Sequence, residues 1–128
     1  MPDKKVLLLQ KLLVQTKMGR VKWERTVDDG VFQAGFPGYS IKMRKVFDEE
    51  TYLIIINIYN DEGSVVERIT DNDVLTLGWS NAISAIAELY ETARRQAMGV
   101  ENALDSLIAS LEDPPTGEEP PTDEDIPF

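Results

Sequence analysis

The last six residues, Asp123-Glu124-Asp125-Ile126-Pro127-Phe128, bring together three kinds of binding chemistry. Phe128 supplies an aromatic ring for an apolar pocket. Read as a free terminus, it also supplies a carboxylate for an Arg or Lys, a recurrent way of capturing peptide ends. Asp123, Glu124 and Asp125 add negative charge for a basic rim, and Pro127 stiffens the backbone, which lowers the entropy lost on docking. A second set is cationic. Lys42, Arg44 and Lys45, with Lys17, Arg20 and Lys22 earlier in the chain, are candidates for a patch that binds nucleic acid, a partner or an acidic tail. The simpler reading of that set is a solvated sheet surface. Trp23 and Trp79 could stack bases, but each occupies an apolar periodic position, which favours core packing. Tyr52, Ile54, Ile56 and Ile58 read as core by the same argument.

Catalytic chemistry finds little support. The chain has no His and no Cys, which removes imidazole and thiolate nucleophiles, bases and metal ligands, and any disulfide framework. Asp61, Asp71 and Asp73 fall in loops, and paired carboxylates can hold Mg²⁺. Asp71-Asn72-Asp73 ahead of a helix is more simply a turn and a cap. There is no phosphate-binding glycine loop. The expectation is a non-enzymatic protein without cofactor or metal.

The tip Asp123–Phe128 resembles the C-terminal tip of bacterial single-stranded DNA-binding proteins, which ends in several acids followed by Ile-Pro-Phe or Leu-Pro-Phe. The resemblance covers these residues and, loosely, the Pro/Gly/Glu-rich stretch before them. In that family the tip recruits enzymes of DNA replication, recombination and repair. Carried over, Phe128 would fill the pocket while its carboxylate meets a basic residue. Ile126 and Pro127 would pack beside the ring, and Asp123, Glu124 and Asp125 would steer the approach. Two departures stand out. The middle acid is Glu where Asp is commoner, and the body lacks the family's DNA-binding barrel.

The elements that must carry these residues can be read in order. Residues 4–18 predict a helix, with Val6, Leu9, Leu13 and Leu8, Leu12 at three- and four-residue spacing and Gly19 as its stop. Its apolar stripe is wide and needs cover. Strands are predicted over Arg20–Val27, Val31–Phe36, Tyr39–Phe47, Thr51–Tyr59 and Ser64–Ile69, separated by Asp28-Asp29-Gly30, Pro37-Gly38, Asp48-Glu49-Glu50 and Asn60-Asp61-Glu62-Gly63. Tyr39, Ile41 and Met43 alternate with Ser40, Lys42 and Arg44, so that strand is half buried. A long helix is predicted from Ser80 to Ala97 on a stripe of Trp79, Ala82, Ile83, Ile86, Leu89, Tyr90 and Ala93. Another follows from Val100 to Leu111, halted by Pro114-Pro115. The fold class is therefore α+β: an antiparallel meander of four to five strands with one N-terminal and two C-terminal helices. The helices should cover one sheet face, leaving Ser40, Lys42 and Arg44 on the other.

Two segments are expected, an α+β domain over residues 1–112 and an acidic tail over 113–128. Asp113–Thr122 holds four of the seven prolines, and apart from them no apolar side chain lies between Leu111 and Ile126. Such a stretch cannot bury enough surface to offset ordering, so a disordered tether is expected. Charge follows the same division. Residues 1–45 carry ten basic and four acidic side chains, residues 46–112 three basic and thirteen acidic, and the tail six acids and no base. A net charge of -10 argues against general coating of nucleic acid. The short apolar run after Lys5 is too brief for a signal segment, and no stretch approaches a membrane span, so a cytoplasmic bacterial or phage protein is expected.

Three functional classes follow. The first is an accessory protein that docks on DNA-maintenance enzymes through Asp123–Phe128, as adaptor or as competitor. The second is a nucleic-acid-binding domain whose basic sheet face is autoinhibited by its acidic tail. The third is a structural domain that dimerises through exposed helix faces.

Overall fold

A computed structural model describes residues 3–112. The expected tail and its tip, residues 113–128, lie outside the described residues. The chain divides into two units, Met1–Met98 and Gly99–Phe128, each taken by itself below.

The first unit opens with α1 (Lys4–Lys17). The Asp3 carboxylate caps it by accepting from the Lys5 amide at 2.8 Å. Its end is a Schellman closure. The Gly19 amide donates to the Thr16 carbonyl at 3.0 Å and the Arg20 amide to the Gln15 carbonyl at 2.9 Å. That geometry needs the left-handed backbone Gly19 adopts, with φ of 75°.

Five strands follow: β1 (Glu24–Arg25), β2 (Val31–Phe36), β3 (Tyr39–Asp48), β4 (Thr51–Asn60) and β5 (Val65–Thr70). They form one sheet in the order β1-β2-β3-β4-β5, every pair antiparallel, which is the expected meander. β1 is much shorter than the predicted Arg20–Val27. The cause is a competing partner: the Trp23 amide donates to Gln96 Oε1 at 2.8 Å rather than to a strand. Glycine turns shape the β1–β2, β2–β3 and β4–β5 hairpins, and a local Asn bond adds to the last. Asn60 Oδ1 accepts from the Glu62 and Ser64 amides, each at 3.0 Å.

A short helix, α2 (Asp71–Thr76), fills the stretch that reads in the sequence only as a transition. It starts with a reciprocal capping box. The Asp73 amide donates to Thr70 Oγ1 at 3.1 Å, and the Thr70 amide donates to Asp73 Oδ2 at 2.9 Å. α3 (Ala82–Ala97) begins two residues later than predicted, and it packs on α1, α2 and the strands.

Strand register places the core on one side. The rows Phe32–Met43–Ile56–Ile69 and Ala34–Ile41–Ile58 share a face. Together with Val6, Leu9 and Leu12 of α1, Val74 of α2 and Ile86, Leu89 and Ala93 of α3 they make one apolar cluster. Helices cover that face, as a sheet with one apolar side requires.

In the second unit, α4 (Val100–Glu112) is amphipathic, and Leu104, Leu107, Ile108 and Leu111 are exposed. No described helix is long and apolar enough to cross a membrane.

Candidate functional site

The sheet face away from the helices carries the cationic candidates. Cross-strand register builds a polar row, Glu24–Gln33–Lys42–Asn57–Arg68, and beside it the row Val31–Arg44–Ile55–Thr70. Lys42 and Arg44 therefore share this face, as expected from alternation, and Arg68 joins them from β5. Lys42 Nζ sits 5.1 Å from the centroid of the Tyr59 ring, a cation–π contact between diagonal neighbours. Lys42, Arg44, Asn57 and Tyr59 line a recess of about 240 Å³ together with Val31 and Asp28. Glu24 in the polar row and Asp28 in the recess dilute the positive field. The arrangement suits a small number of hydrogen bonds to an anion better than a continuous phosphate track. Ile55 is buried on this same face, between Arg44 and Thr70 in register.

Lys45 points the other way. Its position is odd-numbered like Ile41 and Met43, so the pleat turns it to the helix-covered face. There Lys45 Nζ lies 4.8 Å from the Tyr52 centroid and 6.0 Å from that of Tyr90. Tyr52 also meets Phe47 edge-on, with centroids 5.1 Å apart. Both of these rings are more than half exposed. Tyr52 is thus not a core residue, in contrast to the expectation from its apolar run. It sits one residue from the hairpin turn, beyond the reach of the helices. This Lys45–Tyr52–Phe47 group escaped the sequence reading, although cross-strand pairing of Phe47 with Tyr52 follows from a two-residue Glu49-Glu50 loop.

Arg20 and Lys22 precede β1 and are exposed, while Val21 and Trp23 between and beside them are buried. Lys17 is engaged elsewhere: its Nζ pairs with Glu88 at 3.0 Å. The expected basic group thus separates into Lys42 with Arg44, the oppositely facing Lys45, and Arg20 with Lys22 ahead of the sheet.

Trp23 is a core residue, with its ring 2% exposed and its indole hydrogen-bonded. Trp79 is half-buried against the same core. Neither offers a free stacking face of the kind an exposed ring would.

Among the described residues, two carboxylates have shifted acidity. Asp71 is buried, and that burial pushes its carboxyl above the ordinary aspartate value despite the 2.9 Å bond it accepts from the Asn72 amide. Glu91 lies below its ordinary value, because Arg94 donates to both carboxylate oxygens at 2.7 and 2.6 Å. The first belongs to the helix start and the second to an exposed pair at i,i+3. Among the described residues, no group of three Asp or Glu side chains is placed to hold a metal ion.

Comparison with protein-family models, curated proteins and solved structures finds no match to this chain.

Proposed function

We propose that this protein is a non-enzymatic accessory factor that docks on enzymes of DNA replication, recombination or repair. The peptide Asp123–Phe128 makes the contact. The observation that carries the reading is the tip itself: three acids, then Ile-Pro-Phe, after a stretch from Glu112 to Asp125 whose apolar side chains are prolines alone. An apolar anchor in such a setting gains free energy by entering an apolar pocket. The role is that of adaptor, bringing the body to the enzyme, or of competitor, occupying the pocket that single-stranded DNA-binding proteins use.

The test is capture of bacterial DNA-maintenance enzymes by the full chain and by a chain lacking Phe128. Loss of an aromatic anchor from a pocket costs on the order of 2 kcal/mol, more than tenfold in affinity. A peptide of residues 113–128, with a free or an amidated terminus, checks the carboxylate: amidation should weaken binding. Equal recovery by both chains, or recovery of no such enzyme by either, defeats the proposal.

A second reading makes the body a nucleic-acid binder. Lys42, Arg44 and Arg68 on one sheet face support it, and Glu24 and Asp28 on the same side weigh against it. Salt-dependent DNA binding that strengthens on removal of residues 113–128 and falls in Arg44→Ala would favour this reading over the first.

A further inference from the structure

An apolar groove is left uncovered in the first unit. α1 carries Lys4, Leu8, Lys11 and Gln15 along one stripe, at spacings that stack side chains on a single helix face. That stripe borders the end of the β2–β3 hairpin across a groove of about 350 Å³. The buried side chains of Leu12 and Ile41 form the floor, and Val21 closes it. Leu8, Phe36 and Tyr39 line it while remaining 36%, 37% and 55% exposed. The volume lies in the range that holds small ligands and peptide anchors.

Charge selects the occupant. Lys11 is the only charged residue among those lining the groove. Arg20 and Lys22, on either side of Val21, are exposed. Lys11, Arg20 and Lys22 form no salt bridge with the described residues. Glu67, cross-strand from the lining residue Ile58, is held by Lys5 at 3.6 Å. The lining holds no acid. Lys11, Arg20 and Lys22 lie on the α1 and Val21 side, while Asp61 lies beyond Phe36 and Tyr39. That polarity suits a peptide with acids at one end and an apolar anchor at the other.

We propose that this groove binds the C-terminal peptide of this same protein, with Phe128 and its neighbours Ile126 and Pro127 over Leu8, Phe36 and Tyr39, and Asp123–Asp125 toward Lys11, Arg20 and Lys22. The peptide has the required order of charge and apolar anchor, and the six acids of residues 113–128 are accompanied by no base. Sixteen residues follow Glu112, and an extended chain of that length spans about 50 Å, more than the width of a small domain. The consequence is regulation. A peptide held at home is withheld from outside pockets, and nine-tenths occupancy weakens the apparent affinity for a partner about tenfold. This inference rests on the reading of Asp123–Phe128 as a docking peptide.

The test uses the full chain and requires no partner enzyme. Amide and methyl NMR spectra are compared between the wild type, a chain lacking Phe128, and Leu8→Glu at the half-exposed groove position. The proposal expects removal of Phe128 to shift Leu8, Leu12, Val21, Phe36 and Tyr39, and expects Leu8→Glu to move the Ile126 and Phe128 signals to those of a free peptide. A dilution series separates contact within one chain, which persists, from contact between copies, which fades. Either fits the groove and the tip as a pair. Absence of groove shifts overturns the proposal, as do shifts confined to the Lys42–Arg44 face. Groove shifts that depend on concentration but not on Phe128 overturn it too, because a second copy's body would then be the occupant. If the groove shifts appear while enzyme capture fails, the groove assignment stands and the recruitment reading falls.

Discussion

The indole Nε1–H of Trp23 donates to the Thr16 hydroxyl at 3.1 Å, and both side chains are almost completely buried. Thr16 sits in the last turn of α1, and the Trp23 amide is held in turn by Gln96 of α3. One residue thus joins two helices just before the sheet begins. A large ring with one polar atom can be buried at little cost only if that atom finds a partner.

Thr16→Val keeps the shape and removes the acceptor. It should destabilise the protein by about 1–2 kcal/mol, since the indole N–H is left buried and unpaired. Thr16→Ser retains the acceptor and should lose less. Urea denaturation followed by tryptophan emission measures both. A Val variant as stable as the wild type would show that the bond contributes nothing.

Asp71 gives a pH-dependent prediction. Burial raises its folded-state pKa above the ordinary value of 3.8. Its contribution to stability is therefore fully present below that ordinary value and is lost as pH rises through the raised one. Asp71→Asn, which preserves an acceptor for the Asn72 amide, should be more stable than the wild type at neutral pH, with the gap closing on acidification toward pH 3. Thermal melts across that window test the sign. A gap that stays constant with pH removes desolvation of Asp71 as its cause.

Tyr90 reaches across the fold to the turn ahead of β2, where its hydroxyl donates to the Gly30 carbonyl at 2.6 Å. Tyr90→Phe should cost about 1 kcal/mol and accelerate amide exchange at Val31, whose N–H closes the same turn. Gly30→Ala should cost more. It forces a side chain into a backbone with φ of 77° and places a Cβ 3.4 Å from that hydroxyl. Exchange at Val31 unchanged in Tyr90→Phe would mean the turn holds itself.

Glu49 is the only described residue other than glycine with positive φ, at 57°, and it sits in the two-residue loop between Asp48 and Thr51. Hairpin loops of that length favour Gly or Asn at such positions. Glu49→Gly should stabilise by about 0.5–1 kcal/mol, and Glu49→Asn by a smaller amount. Denaturation midpoints decide it, and loss of stability in both variants would count against strain at Glu49.

Much of the architecture was legible before any coordinates. β2 begins and ends where alternation and the flanking turns place it, and β3 and β4 differ from their predicted spans by one residue each. α2 was missed because six residues cannot display a helical period, although Thr70-x-x-Asp73 is a readable start signal. Lys45 was grouped with Lys42 and Arg44 by nearness in sequence, when the parity of its position already assigns it to the other face.

Alternation, turn signals and helix periods are properties of the local backbone, so the sequence by itself determined the α+β class, the succession of the long helices and the strands, and which residues of β3 share a face. The strand order β1-β2-β3-β4-β5 and the short α2 came from the tertiary structure. The sequence also determined the composition of Asp123–Phe128 and its setting, after a stretch whose apolar side chains are prolines alone. Exposure is not local. It depends on how much of each apolar stripe the rest of the chain can cover, and this chain has two long helices to lay against a five-stranded sheet in its first unit. Only the tertiary structure therefore decided that Trp23 is enclosed, that Tyr52 and Phe47 stand clear of the helices, and that Leu8, Phe36 and Tyr39 are left around an uncovered groove.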